Sequence, residues 1–295
     1  MLESHKQLIS READAYMGKH NMSAGKFSGL TGVNPSYLSY ILRGDWNAFP
    51  VQGGKTTQIG DSHFLKLQKF LGITLEVFNT KPFVDVSYTL ALAKRNADYY
   101  IVDGKTGQGK SFAVTEFQRQ HPAGTYVVDC ANAMTPRKMM LAIAEAVGVL
   151  PVGDNDMLIK AVAAKMSATP NALLVLDEAE TMVKKRLAFG FIHDLHKKLD
   201  GMGSIVIIGA NDLLATMKAR AAKNIDSFPQ VLRRFGAEPV MLMAGIDRDD
   251  AVAICSTYGV SSAREVTQLM AQCENYGTLF STLKKRKNDA EALAN

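Results

Sequence analysis

A chain of 295 residues is long enough for two domains, one of them with a substantial core of its own. Hydrophobic residues make up 47% and charged residues 21%, an ordinary globular balance, and no apolar run reaches the roughly 18 to 20 residues that span a bilayer, so no membrane role is expected. The formal charge of +5 suits a polyanionic partner without demonstrating one, and three widely spaced cysteines, Cys130, Cys255 and Cys273, form neither a disulfide framework nor a metal knuckle. The N-terminal stretch lacks the apolar core and cleavage site of a secretion signal, so reduced thiols and a cytoplasmic location are expected.

In chain order, the first eighty residues read as short helices separated by turn signals, with no period-2 strand until Tyr99. Ser23 to Gly44 predicts helix, tight turn, helix: Ser23 caps the first, Gly32 supplies the turn, Asn34 caps the second with Pro35 at its first position, and Gly44 ends it. Phe27, Val33, Leu38 and Ile41 form the expected small core, leaving Ser36, Tyr37, Ser39 and Tyr40 outermost, with Lys26 and Arg43 nearby to meet phosphates. This segment is similar to the helix-turn-helix of Cro- and lambda-repressor-like proteins, with residues 35–43 as the recognition helix. Ser36, Tyr37, Tyr40 and Arg43 are its candidate DNA contacts, and docking of another protein is the alternative. A further amphipathic helix is predicted over 61–73, with Phe64, Leu67, Phe70 and Leu71 apolar.

Beyond Tyr99 the texture changes. Strand-like apolar runs at 99–103, 125–129, 173–177, 204–208 and 239–243 alternate with helical stretches, which implies an α/β fold with a mostly parallel five-stranded sheet covered on both faces. After Gly245 three helical stretches, 249–258, 262–273 and 277 to about 288, read as a small helical lid.

The first strand is followed by Gly104-Lys105-Thr106-Gly107-Gln108-Gly109-Lys110-Ser111, which satisfies G-x-x-x-x-G-K-[ST] between a predicted strand and a predicted helix. Backbone N–H groups freed by the glycines, together with the helix N-terminus, make an anion cradle; Lys110 reaches the β- and γ-phosphates of ATP and Ser111 ligates Mg²⁺. The run Leu173-Leu174-Val175-Leu176 ends in Asp177 and Glu178 at the carboxyl end of a strand, where ligands bind in open α/β sheets. Asp177 is expected to hold Mg²⁺ through its water shell and Glu178 to polarise the attacking water, with Glu180 a solvated or capping acid. Asn211, just past the next strand, stands where an amide could orient that water or could instead cap the following helix.

These motifs resemble those of AAA+ ATPases, in which Asn211 would hold the sensor-1 position. Arg234, or failing it Arg233, in Phe228-Pro229-Gln230-Val231-Leu232-Arg233-Arg234-Phe235-Gly236 would be the arginine presented to a neighbouring subunit's nucleotide. A solvated arginine pair is the alternative.

The order of a repressor-like helix-turn-helix and an AAA+ core resembles the phage Mu transposition protein B family, and more distantly IstB-type transposase helpers and ExeA-like ATPases. The likeness runs through Gly32, Gly44, Phe83-Val84, the phosphate loop, Leu176-Asp177-Glu178-Ala179, Gly209, Leu232-Arg233-Arg234-Phe235 and Gly277-Thr278-Leu279. It implies a helix-turn-helix domain over 1–80, an AAA+ core over 81–245 and a lid over 246–295. It also implies ATP-dependent, largely sequence-indifferent assembly of a helical filament of this chain on double-stranded DNA, delivery of that target to a transposase that stimulates hydrolysis, and a phage or mobile-element origin. Phe280 departs from the pattern, since relatives often carry a nucleotide-sensing arginine there. Candidate DNA contacts of the core are Lys184, Lys185 and Arg186 after Met182-Val183, and Lys197 and Lys198; the basic run 284–287 is another. His193 and His196 lie one helical turn apart, but no third ligand joins them nearby and no metal role is assigned. Two other functions fit the same motifs: a loader acting on a replicative helicase, and a DNA-binding regulator with ATP as ligand, the latter disfavoured by Glu178.

Overall fold

The computed structural model describes residues 3–51, 54–73, 77–132, 135–184, 189–199, 201–210, 212–225, 227–236 and 239–293. Contacts divide the chain into two compact units, Met1–Val77 with Asn288–Asn295, and Phe78–Lys287.

In the first unit, α1 (Glu3–Lys19), α2 (Ala24–Thr31), α3 (Pro35–Arg43) and α4 (Asp61–Leu71) pack around Ile9, Phe27, Val33, Leu38, Ile41, Trp46, Phe64 and Leu67. The expected punctuation is present. Ser23 accepts the Lys26 N–H, Asn34 Oδ1 accepts the Ser36 N–H at 2.9 Å with Pro35 at N1, and Gly32 and Gly44 take left-handed φ values of 65° and 83° at the helix ends. Two features depart from expectation. A short antiparallel ribbon, β1 (Phe49–Pro50) with β2 (Thr56–Thr57), follows α3 in a stretch where no strand is predicted. Its Phe49 covers the outer side of α3: ring centroids lie 4.6 Å from Tyr37 and 5.1 Å from Tyr40, so both tyrosines are half-buried while Ser36, Ser39 and Arg43 stay exposed. Two-residue strands carry no periodicity, and an aromatic pair on a helix face attracts any nearby ring that can bury it.

The second unit opens with α5 (Lys81–Asn96). It continues through β3 (Tyr99–Asp103), α6 (Lys110–Gln120), β4 (Thr125–Asp129), α7 (Pro136–Val147), α8 (Asn155–Ser167) and β5 (Leu173–Asp177). Then come α9 (Glu180–Lys184), α10 (Phe189–Leu199), β6 (Ser204–Gly209), α11 (Leu213–Ala222), α12 (Phe228–Phe235) and β7 (Val240–Met241). The strands form one parallel sheet in the order β4-β5-β6-β3-β7. Helices α5 and α6 cover one face around Val102, Val114, Phe117, Val175 and Val206; α7, α8 and α10 to α12 cover the other around Ile101, Leu174, Leu176, Ile205 and Ile207. Burial on both faces is why β5 and β6 are unbroken apolar runs.

The fifth strand is shorter than the predicted 239–243. It is an edge strand that pairs with β3 only at Val240 and Met241, and Met241 and Met243 project into solvent. The lid comprises α13 (Arg248–Thr257), α14 (Ala263–Gln272) and α15 (Tyr276–Leu293), and Ile254, Leu269, Tyr276 and Leu279 are among its buried core. Phe280 faces Phe78, with ring centroids 5.4 Å apart.

Candidate functional site

Parallel strands bring their carboxyl ends to one edge of the sheet, and the predicted phosphate and carboxylate motifs meet there. Asp103 ends β3 level with Gly209 of β6, and Asp129 ends β4 level with Asp177 of β5. The loop after β3 and the acids after β5 therefore flank the end of β6.

Gly109 is the N-cap of α6 at φ 81°, with no side-chain cap on the helix and nothing within 4 Å of where a Cβ would stand. No side chain of the N-cap residue therefore competes for the first-turn N–H groups, and a helix N-terminus of this kind suits an anion. Lys110 follows; its ammonium is folded back onto the loop carbonyls of Gly104 at 2.9 Å and Lys105 at 3.0 Å. Burial pushes the Lys110 pKa down, against the attraction of Glu180, Glu178, Asp177 and Asp103. The Ser111 hydroxyl lies beside the Asp177 carboxylate at the end of β5 and favours its charged form. Lys105, Thr106 and Gly109 are exposed, Gly104 and Gly107 half-buried, and Gln108 buried.

Asp177 is buried, which raises its pKa despite the bonds from Ser111 and from the Glu178 N–H at 3.0 Å. Glu178 is a non-glycine residue at φ 54°, a conformation that costs about 1–3 kcal/mol and concentrates at functional sites. Its pKa is raised, first by burial and then by its hydrogen bond with Glu180. One ammonium among four carboxylates leaves the strand ends electronegative, so a hard divalent cation with oxygen ligands suits the donor set.

Glu180, expected to be a solvated or capping acid, is not solvated. It opens α9, which turns back over the end of β6, and its buried carboxylate accepts the Ala210 N–H at 3.0 Å. Asp103 does the same for the Leu214 N–H at 2.9 Å at the start of α11. Both carboxylates clamp the backbone on either side of position 211, and sequence position alone singles out neither. Asn211 itself, like Lys185 and Arg186, lies outside the described residues. Asp212, at φ 62°, is the N-cap residue of α11 and makes no side-chain cap.

Arg233 and Arg234 are exposed in the last turn of α12. Arg234 Nη1 lies 3.4 Å from His196 Nε2, and the His196 ring packs on Tyr99 at the start of β3, the end of that strand opposite the phosphate loop. The chain therefore does not bring Arg234 to its own phosphate site. Lys197 and Lys198 are exposed near the end of α10, whereas Met182 and Val183, expected beside a DNA surface, are buried in the core, and Lys184 is the last residue of α9.

A glycine-rich loop between strand and helix, a buried lysine and a hydroxyl beside a strand-end aspartate define the class: a P-loop nucleotide-binding α/β domain. Residues 93–217 match the AAA domain family, and they lie within a parallel five-stranded sheet flanked by helices. The Orc1 protein of Aeropyrum pernix, solved in complex with DNA, is similar in fold at a TM-score of 0.53 and 15% identity, over 75% of this chain and 62% of that one. Cdc6p of Pyrobaculum aerophilum matches at a TM-score of 0.46 and 16% identity, over 62% and 50%. The replication initiator DnaA bound to AMPPCP and single-stranded DNA matches at 0.47 and 12%, over 73% and 63%. This chain spans less than two thirds of each of the three. No curated protein matches it in sequence. No helix among the described residues is long and apolar enough to cross a membrane.

Proposed function

We propose that this chain binds ATP with Mg²⁺ at Gly104 to Ser111, hydrolyses it, and uses that cycle to assemble on double-stranded DNA and present it to a transposase. The observation that carries the ATPase part is the joining of Lys110, Ser111, Asp177 and Glu178 at adjoining strand ends. Bound ATP·Mg²⁺ supplies a phosphoanhydride open to in-line attack by water. Residues 104–109 and the first turn of α6 hold the phosphates through backbone N–H groups, Lys110 neutralises them, and Ser111 with Asp177 faces the cation. Glu178 accepts the water proton at its carboxylate, Glu180 and Asp103 keep the neighbouring backbone in place, and Asn211 orients the water.

Arg234, with Arg233 as the nearby substitute, completes the site of a second copy, which is the reading its distance from its own phosphate loop favours. An oligomer is then the active species, and a helical one fits a linear polyanion. DNA contact is assigned to Lys184, Lys185, Arg186, Lys197 and Lys198 in the core. In the N-terminal unit it is assigned to a helix-turn-helix domain presenting Ser36 and Arg43, with Tyr37 and Tyr40 at the margin of Phe49. The delivery of a target to a transposase rests on the resemblance to the Mu transposition protein B family and on module order.

Nucleotide binding and turnover test the site. Lys110→Ala is expected to lose ATP binding, and Glu178→Gln to bind ATP with near-normal affinity while turnover falls by about 100-fold or more. Normal hydrolysis by Glu178→Gln would exclude Glu178 as the base.

A further inference from the structure

The lid begins on the phosphate loop. The Gly277 N–H, in the first turn of α15, donates to the Gly107 carbonyl at 3.0 Å. Just before it, Asn275 and Thr278 cap the helix reciprocally: Asn275 Oδ1 accepts the Thr278 N–H at 2.9 Å, and Thr278 Oγ1 accepts the Asn275 N–H at 3.2 Å. The capping amide lies directly against the loop. A Cβ on Gly107, whose φ is 81°, would stand 2.3 Å from Asn275 Oδ1 and 2.4 Å from its Cγ.

The seat is braced on both sides. Gln108, 1% exposed, donates from Nε2 to the Gly245 carbonyl at 3.0 Å, just ahead of α13. The Tyr276 hydroxyl donates to Asp250 and accepts the Asp247 N–H at 3.1 Å, while the same two aspartates hold the Lys81 ammonium and N–H at the start of α5.

A planar trans peptide points its carbonyl and its N–H in opposite directions. In the unit joining Gly107 to Gln108, the carbonyl faces Gly277, so the Gln108 N–H faces away from the lid. A loop that cradles phosphate must turn its N–H groups to the anion and its carbonyls outward. The loop conformation that seats α15 and the one that holds phosphate therefore share the orientation of this peptide. Phe280, half-buried against Phe78, leaves the lid without an arginine at that position.

We propose that Asn275 is a positioning residue through which the lid reads the phosphate loop: it seats α15 on Gly107, so that ATP binding and lid seating stabilise each other. The proposal rests on the nucleotide-binding reading above. Linkage makes the coupling reciprocal, so a lid variant must weaken ATP binding by the factor by which ATP ceases to order the lid.

The test is Asn275→Ser, which can still cap α15 but withdraws the amide from Gly107, with Asn275→Thr as a second short capping residue that also withdraws it. ATP affinity is measured alongside backbone hydrogen exchange over residues 276–287, with and without ATP. In the unsubstituted protein, ATP is expected to slow exchange there. Asn275→Ser should keep the thermal midpoint, bind ATP about fivefold or more weaker, and lose the ATP-dependent slowing. If Asn275→Ser lowers the midpoint, Asn275→Thr decides by the same two readouts. Wild-type affinity and slowing in a folded variant would overturn the proposal. So would an unsubstituted protein that binds ATP without slowed exchange, whereas one that binds no ATP at all would overturn the nucleotide reading and this proposal together.

Discussion

Glu180 shows how far burial changes the meaning of an acid. As a residue following Asp177-Glu178-Ala179 it has no distinguishing signature, yet its carboxylate is buried, raises the Glu178 pKa and receives the Ala210 N–H. Removing one partner of a buried, charged hydrogen bond leaves the other unsatisfied, at about 1–3 kcal/mol. Glu180→Ala is accordingly expected to lower stability by that order and to reduce turnover about tenfold or more with little change in KM for ATP, because the backbone it steadies leads to Asn211. Glu180→Gln keeps an acceptor for the Ala210 N–H and should retain most of the activity. Steady-state kinetics with a denaturation curve for each variant decide it; wild-type turnover in Glu180→Ala would return this residue to a passive role.

At the scale of elements, what the sequence displays depends on how many residues share one pattern. The four strands β3 to β6 are each at least five residues long and apolar throughout or nearly so, and they appear where the runs predict them. Glycine, proline and capping side chains likewise mark α2 and α3 because each acts within a few residues of itself. The β1–β2 ribbon has no such pattern, and its effect is long-range: Phe49 covers Tyr37 and Tyr40, side chains that helical periodicity alone places in solvent. The same limit hides Asn275, whose contact with Gly107 joins residues far apart in sequence. The sole tryptophan, Trp46, is buried edge-on against Phe64 in the N-terminal unit and so reports on that unit. Phe49→Ala should destabilise the transition followed by Trp46 fluorescence by about 1 kcal/mol or more, the worth of its aromatic contacts. An unchanged denaturation midpoint would mean that the ribbon does not support α3.

For the whole molecule, the consequential fact is that one chain assembles the phosphate loop, both strand-end acids and the carboxylates bonded to the Ala210 and Leu214 N–H groups, yet holds Arg234 beside His196 at the other end of β3. On the proposed reading, a site completed by a second copy would make assembly and hydrolysis parts of one cycle, and Lys197 and Lys198, repeated along an oligomer, would offer DNA phosphates a periodic set of cations. Such binding would be electrostatic, so it is expected to weaken steeply with salt and to be indifferent to sequence. The most direct test of this account is electron microscopy of the purified protein on random-sequence duplex DNA with ATP, ADP or a non-hydrolysable ATP analogue. Continuous filaments with ATP or the analogue, absent with ADP, are the predicted result; discrete particles, or coating of DNA regardless of nucleotide, would contradict it.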